Sequence, residues 1–575
     1  MSFYQLIQDV LADTLGRSLT AFRPELVLCA TIVVLLLARM IDEGRRNTAF
    51  GVMVAGTLTA LWFAAPWHYL TVAGSADMGP IFTGMLVFDT FSVYMRGLLL
   101  FFVLLFVTFT QTTGIPDRHN ATEFYVLILG ATLGMCLMVS ANHMLAVFLG
   151  VEMASVPSYA LAGFLRHRRL SSEAALKFAV FGGATAGVML YGISLLVGSL
   201  GSAQIPVMAA QLAQMLADGL GPERATVLAL GALMVMVGLA FKLSAVPFHF
   251  WAPDVFEGTA AEIAAFLSIA SKAAALALLV RLALGFGFVE PRFETAHAGS
   301  EAKVVTVAYR GLTVENLGDE PAKNAPLSTS SSPVAVGKVT SLAAALEPAR
   351  RYLVDLIGLL AVVTCTFGNL AAYGQTNMKR LLAYSTIAHA GYMMMPVAAA
   401  VSMSGTDPAG ARAAVASLGF YVGIYLFMNL GAFAGVAFLR NALGSERIDD
   451  YAGLVGRSPG LAVSLTIVLF SLVGLPPLAG FSGKFAMFAS VADARLWALL
   501  VIGVLNTVLS LFYYLRVVRV MMLLPEPAGR PTATLPLTSV AGAYTFVLAL
   551  PLLILGVWWN GLYVWAAAAA SSLLL

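Results

Sequence analysis

Three lysines, Lys242, Lys272 and Lys484, each lie inside a long and otherwise apolar stretch of the chain. In a bilayer a charged side chain near the centre costs roughly 2.5–3.5 kcal/mol on insertion scales, so an ionisable residue at that depth is a functional candidate. Glu152, Lys177 and His249 extend the set. His389, in YSTIAHAGYMMM, is either a further member or a histidine satisfied by helix packing. The chemistry such a set supports is proton transfer, and none of the usual nucleophile constellations is evident. Neutralising a lysine at pH 7 from a reference pKa near 10.4 takes roughly 4.6 kcal/mol, a cost that loss of water around a buried lysine can supply. A nearby carboxylate opposes that neutralisation, and its withdrawal permits it. A Glu–Lys pair that closes and opens can therefore load and unload a proton from the next lysine.

The composition says what must hold these groups. The 575 residues are 59% hydrophobic and 11% charged, with a mean hydropathy of +0.87. Soluble domains are about a quarter charged, so the chain reads as an all-α polytopic membrane protein. A net charge of +3 gives no reason to expect a nucleic-acid partner. Cys29, Cys136 and Cys365 are scattered and form no CxxC or His/Cys cluster, so no disulfide framework, zinc site or iron–sulfur site is indicated. No Gly-rich phosphate loop follows a strand. The first 24 residues are amphipathic, lack a basic leader before an apolar core, and are not expected to be a cleaved signal peptide.

Apolar stretches of helical length are expected near 25–41, 48–66, 84–112, 122–140, 143–164, 173–199, 225–248, 259–287, 352–373, 379–402, 412–439, 460–490, 494–521 and 541–565, about fourteen spans. Alternate loops are basic: Arg45 and Arg46, Arg166 to Arg169, Lys379 and Arg380, Arg440 to Arg457, and Arg516 to Arg530. That set is expected on the cytoplasmic side, with both termini opposite. The organisation read from these spans is an N-terminal three-helix part (1–120), a first repeat (121–289), a polar non-cytoplasmic insertion (290–350), a second, inverted repeat (351–521) and a C-terminal loop and helix (522–575). Within the insertion, VVTVAYRGLTV is a candidate hairpin, although a mobile loop is the simpler reading.

Prolines break two of the spans, the seventh and the twelfth. Pro247, five residues after Lys242, has no backbone N–H, so the carbonyl of residue 243 loses its helical partner beside that lysine. A continued helix would put His249 two turns beyond Lys242 on the same face, about 10 Å along the axis, which suits a water-bridged relay. Pro476 and Pro477, with Gly474, Gly480 and Gly483, break the helix that carries Lys484. Interrupted helices in corresponding halves point to an internal repeat with its site at mid-membrane. Their five-span spacing is odd, which inverts one copy relative to the other. Small neighbours (Ser268, Ser271, Ala273) let the Lys272 helix pack closely. Glu152 and Lys177 lie on consecutive spans and can pair. Simpler readings stand beside these: Lys177 as a snorkelling residue, His143 as interfacial, Arg96 as packing or subunit contact, and Asp254 and Glu257 as loop residues that cap the next helix or admit protons.

These segments carry a resemblance. ANHMLAVFLGVEMASVPSYALAGF, SSEAALKFAVFGGATAGVMLYGISLL, GLAFKLSAVPFHFWAPDVFEGTAAEIAAFLSIASK, GNLAAYGQTNMKRLLAYSTIAHAGY and GLPPLAGFSGKF cover most of residues 120–290 and 350–520. In that order they resemble the subunit N (mitochondrial subunit 2) family of proton-pumping NADH:quinone oxidoreductase, respiratory complex I. The resemblance implies fourteen helices with two inverted five-helix repeats and broken helices 7 and 12. It implies Glu152 pairing with Lys177, Lys242 as the central protonatable group, Lys272 as the connecting lysine and Lys484 leading outward; His249 matches a histidine of bacterial members. It also implies a bacterial inner-membrane, multi-pass location and other membrane-arm subunits as partners, including sister antiporter-like subunits. No cofactor is expected in this chain, with flavin, iron–sulfur clusters, NADH and quinone in other subunits. A sister family carries a glutamate at the position of Lys484, and another carries a long lateral helix after the core. Residues 290–350 depart from the pattern.

Three functions compete at this point. The first is a non-redox, proton-translocating subunit of the oxidoreductase, driven by quinone reduction elsewhere. The second is a subunit of a cation/proton antiporter complex or a membrane-bound hydrogenase. The third is a membrane scaffold with no proton path, which several mid-span lysines make wasteful.

Overall fold

The computed structural model describes residues 3–41, 46–71, 78–287, 344–526 and 534–573. The hairpin candidate at VVTVAYRGLTV lies outside the described residues. The chain opens with α1 (Phe3–Asp13), α2 (Arg23–Ile41) and α3 (Arg46–Ala64), followed by a short hairpin of β1 (Gly79–Ile81) and β2 (Leu86–Phe88). The helices α4 (Thr90–Thr113), α5 (Ala121–Ser140), α6 (Met144–Ala162), α7 (Arg169–Leu200), α8 (Ile205–Ala217), α9 (Pro222–Leu243), α10 (Trp251–Gly258) and α11 (Ala261–Gly287) come next. After the insertion come α12 (Glu347–Ala372), α13 (Met378–Met403), α14 (Pro408–Leu443), α15 (Pro459–Val473), α16 (Ala479–Asp493), α17 (Trp497–Leu523), α18 (Val540–Val557) and α19 (Asn560–Ala570).

Helix ends follow local chemistry. Asp89 and Ser92 form a reciprocal capping box, so α4 starts at Thr90, later than the apolar run suggests. Asn377 caps α13 by accepting from the backbone N–H groups of Lys379 and Arg380. Helices α4, α7 and α14 end in left-handed glycines, Gly114, Gly201 and Gly444.

Eleven described helices are long and apolar enough to cross a membrane, or twelve if α2 and the segment before it, bent by 77°, count as one span. The expected fourteen is not reached on that measure, for two physical reasons. Helix α13 falls short in apolarity because it carries Lys379, Arg380, Ser385, Thr386 and His389, yet nearly all of it is buried in protein. Helices α15 and α16 are each too short because Pro476 and Pro477 divide them.

The two halves repeat one another. In the first, the backbone ahead of α6 pairs with the backbone after α7: Met144 donates to the Ala203 carbonyl (2.8 Å) and Ile205 to that of Asn142 (3.1 Å). In the second, Met378 donates to Glu446 (2.9 Å) and Ile448 to Thr376 (2.9 Å), the same two-bond pattern ahead of α13 and after α14. Lys177, near the start of α7, and Arg380, at the start of α13, share one carboxylate, Asp254. The start of α13 therefore lies at the end of the bundle where α6 finishes, and the two repeats run in opposite directions. Helices α11 and α14 are buried along nearly their whole length.

Candidate functional site

Both helix breaks are built alike. At the end of α9, Ser244 adopts a left-handed conformation (φ 55°), its N–H donates to Phe241 (3.0 Å) and that of Ala245 to Ala240 (2.7 Å). At the end of α15, Gly474 (φ 90°) donates to Ser471 (3.0 Å) and Leu475 to Phe470 (3.1 Å). This Schellman arrangement occupies the carbonyls of the penultimate turn and leaves the last ones free. A cis peptide bond precedes Pro247 in one break and Pro477 in the other.

Buried lysines take the free carbonyls. The Lys272 ammonium, on a side chain 1% exposed, donates to the carbonyl oxygens of Leu243 (2.9 Å) and Thr386 (3.1 Å). The Lys484 ammonium donates to Leu472 (3.1 Å) and Val473 (2.9 Å) and lies 4.7 Å from the centroid of the Tyr392 ring. Each half-helix thus ends on a lysine amine, which the negative end of the helix dipole favours when it is protonated. The carbonyl of residue 243, expected to be free beside Lys242, is freed as expected but is held by Lys272.

Lys242 is buried, with its ammonium 5.9 Å from the centroid of the Tyr159 ring. Glu152 is half-buried one heptad before Tyr159, on the same face of α6. The expected Glu152–Lys177 pair is not formed in this structure: Lys177 pairs with Glu173 (2.9 Å) and Asp254 (2.8 Å). The relay geometry expected for His249 is also absent, because α9 stops at Leu243 and residues 245–250 turn before α10 begins. His249 is buried against Phe367 of α12, ring centroids 4.4 Å apart, and its Nδ1 has no hydrogen-bond partner among the described residues.

His389 lies on α13 between Thr386, whose carbonyl accepts from Lys272, and Tyr392, whose ring faces Lys484. Its Nδ1 is 2.7 Å from the Tyr421 hydroxyl and its Nε2 is 3.4 Å from that of Tyr514, which in turn meets Ser385. Asn429 joins Ser268 of α11 to Thr386 of α13 (3.3 and 3.5 Å). The structure therefore brings Lys242, Lys272, His389 and Lys484 into one buried succession across α9, α11, α13 and α16. Lys177 stands at its edge and His249 in the first break.

Sequence reasoning misplaced some members and missed others. Asp254 lies in helix α10, not in a loop, and joins Lys177 to Arg380 (3.0 Å); Arg380 also pairs with Glu257 (2.7 Å). Lys379, read as a loop cation, is 1% exposed; it donates to the carbonyls of Glu257 (2.8 Å) and Thr259 (2.7 Å) and pairs with Glu446 (3.0 Å). The tyrosines around His389 look like ordinary apolar packing in sequence. Arg96 turns out to pair with Glu25 (2.7 Å), both side chains 1% exposed.

Comparison with known proteins places this arrangement. Residues 141–296 and 332–510 match the family described as NADH:quinone oxidoreductase/Mrp antiporter, TM. The NADH-quinone oxidoreductase subunit N 2 of Sorangium cellulosum is 36% identical over 97% of this chain and 98% of its own length. A chain in the structure of respiratory complex I from Thermus thermophilus with bound aureothin is 27% identical, with a TM-score of 0.66 over 93% of this chain and 97% of that one. A chain of the Mrp complex from Dietzia sp. has a TM-score of 0.72 over 97% of this chain and 98% of that one, but is 18% identical, a likeness of fold alone. The chain belongs to the antiporter-like subunit N family of NADH:quinone oxidoreductase.

Proposed function

We propose that this chain moves protons across a bacterial inner membrane as a membrane-arm subunit of an NADH:quinone oxidoreductase. Energy comes from quinone reduction in other subunits, which also hold the flavin and iron–sulfur clusters. The observation that supports this most is the buried succession from Lys242 through Lys272 and His389 to Lys484, with two of its lysines seated on the ends of broken helices. A protonated lysine at a half-helix end is attracted by the helix dipole and by the free carbonyls, and a neutral amine is held less strongly. Proton transfer along the line thus changes the force holding each break together. Glu152 sets the charge environment of Lys242 at one end, and Lys484 passes protons outward at the other. Lys177 supplies the cation that pairs with Glu152 when Lys242 discharges. The basic loops face the cytoplasm.

The second reading, a cation/proton antiporter subunit, shares the fold, and the fold alone does not separate the two. The 36% identity to a subunit N protein favours the first. Purification in mild detergent from native membranes tests it. Co-purification with flavin- and iron–sulfur-containing subunits that oxidise NADH is expected. A complex without them, exchanging sodium for protons, contradicts it.

A further inference from the structure

Counted from the two breaks, Asp254 and Lys484 are equivalent: each lies ten residues beyond the left-handed residue that ends its half-helix, Ser244 or Gly474. The paired breaks therefore do not carry paired lysines. Lys242 precedes its break, and the position that holds a cation in the second repeat holds a carboxylate in the first.

That carboxylate has a distinctive setting. Its Oδ2 accepts from the Lys177 ammonium and its Oδ1 from the Arg380 guanidinium, so it joins α7 of the first repeat to α13 of the second. Glu173 also faces Lys177, and Glu257 also faces Arg380. The side chains are between 32% and 38% exposed for Lys177, Asp254 and Arg380. Contacts that open to water cost little to exchange. The neighbouring pairs Lys379–Glu446 and Arg440–Glu262 are buried and fixed by comparison. The next residue on α7, Phe178, stacks on Trp251 of α10 (4.2 Å, 11°) and meets Tyr159 of α6 edge-on (4.8 Å). Tyr159 is the ring beneath Lys242, and Glu152 lies one heptad before it on α6. Lys177 is therefore held by Asp254 on α10 and by Glu173 on its own helix, while Glu152 lies on α6, whose Tyr159 packs on Phe178.

Building on the proton-translocating reading, we propose that Asp254 is a positioning residue that competes with Glu152 for the Lys177 ammonium, with Arg380 of the opposite repeat setting the strength of its hold. No covalent bond forms or breaks; one ammonium moves between two carboxylates. While Asp254 holds Lys177, Glu152 is left to stabilise a charged Lys242. When Arg380 draws on Asp254, Lys177 is released to Glu152 and Lys242 discharges. A movement of α13, which carries the Thr386 carbonyl and His389, is thereby felt at the other end of the line.

The test uses the whole complex in membrane vesicles, measuring protons pumped per NADH oxidised and the pH profile of pumping. Asp254→Asn is expected to lower pumping about fivefold and displace its pH profile, and Asp254→Glu to restore it to within about twofold. Because Asp254 acts through Lys177, adding Asp254→Asn to Lys177→Ala is expected to cost nothing more. Wild-type pumping and pH profile in Asp254→Asn, or losses that multiply in the double variant, would overturn the proposal. If Asp254→Asn does not assemble, Arg380→Gln takes its place: a displaced pH profile is expected, and an unchanged one overturns the proposal. Lys242→Ala in parallel separates the two ideas. Loss of pumping there with none in Asp254→Asn sinks only the role of Asp254, whereas full pumping in Lys242→Ala sinks the proton path itself.

Discussion

At the residue scale, Lys242, Lys272 and Lys484 differ in what their ammonium groups touch. Lys272 and Lys484 each hold main-chain carbonyls at a helix end, and Lys242 faces an aromatic ring. Close approach matters most around His389. A Cβ built on Gly483 would lie 2.6 Å from Cδ2 of Tyr421, whose hydroxyl is 2.7 Å from His389. Overpacking of that kind costs about 1–3 kcal/mol. Gly483→Ala is therefore expected to leave the complex assembled while lowering proton pumping several-fold in vesicles; unchanged pumping would show that the Tyr421–His389 contact is not needed. The lysines were legible in the sequence because a charge in an apolar run stands out. Tyr421 and Tyr514 were not, since a tyrosine in such a run has the same appearance whether it packs or relays. The long-range partner of Lys177 was not legible either: Glu173 sits four residues before it on the same helix, but Glu152 and Asp254 are carboxylates on elements that meet it only in the fold.

At the scale of elements, the prolines correctly marked both breaks. What they did not show is how each half-helix ends. Ser244 takes the left-handed conformation that glycine takes at residue 474, a conformation that costs a non-glycine residue roughly 1–2 kcal/mol. The break in the first repeat is tied across to the second, with the Val246 N–H donating to the Thr364 hydroxyl at 3.0 Å. A continuous helix through His249 was the natural extrapolation of helical periodicity, and the turn over residues 245–250 removed it. Helix α13 shows the reverse case. Its polar residues make it a poor membrane span by composition, and burial against α11, α12 and α14 is what lets it carry the site.

At the scale of the whole molecule, two inverted repeats share a central pair of helices; Arg281 of α11 pairs with Asp89 ahead of α4 at 2.7 Å, and buried charge also joins the N-terminal helices to one another. Glu25 of α2 and Arg96 of α4 pair in full burial, and Arg96 also reaches the Ser140 hydroxyl at 3.3 Å. Removing one partner of such a pair costs about 3–5 kcal/mol, whereas replacing both with apolar groups is often tolerated. Glu25→Ala is thus expected to reduce the amount of assembled complex sharply, and Glu25→Ala with Arg96→Met to recover part of it, as read on native gels. Equal loss in the single and double variants would assign the damage to packing instead. The inverted arrangement was foreseen from the odd spacing of the breaks, but the matching two-bond pattern after α7 and α14 depends on long-range pairing that no local signal encodes. The central claim is that protons cross this chain through Lys242. Proton pumping per NADH oxidised, measured in vesicles that carry the assembled Lys242→Ala complex, tests it most directly. The account predicts a loss of pumping of about tenfold or more, and pumping at the wild-type ratio would contradict it.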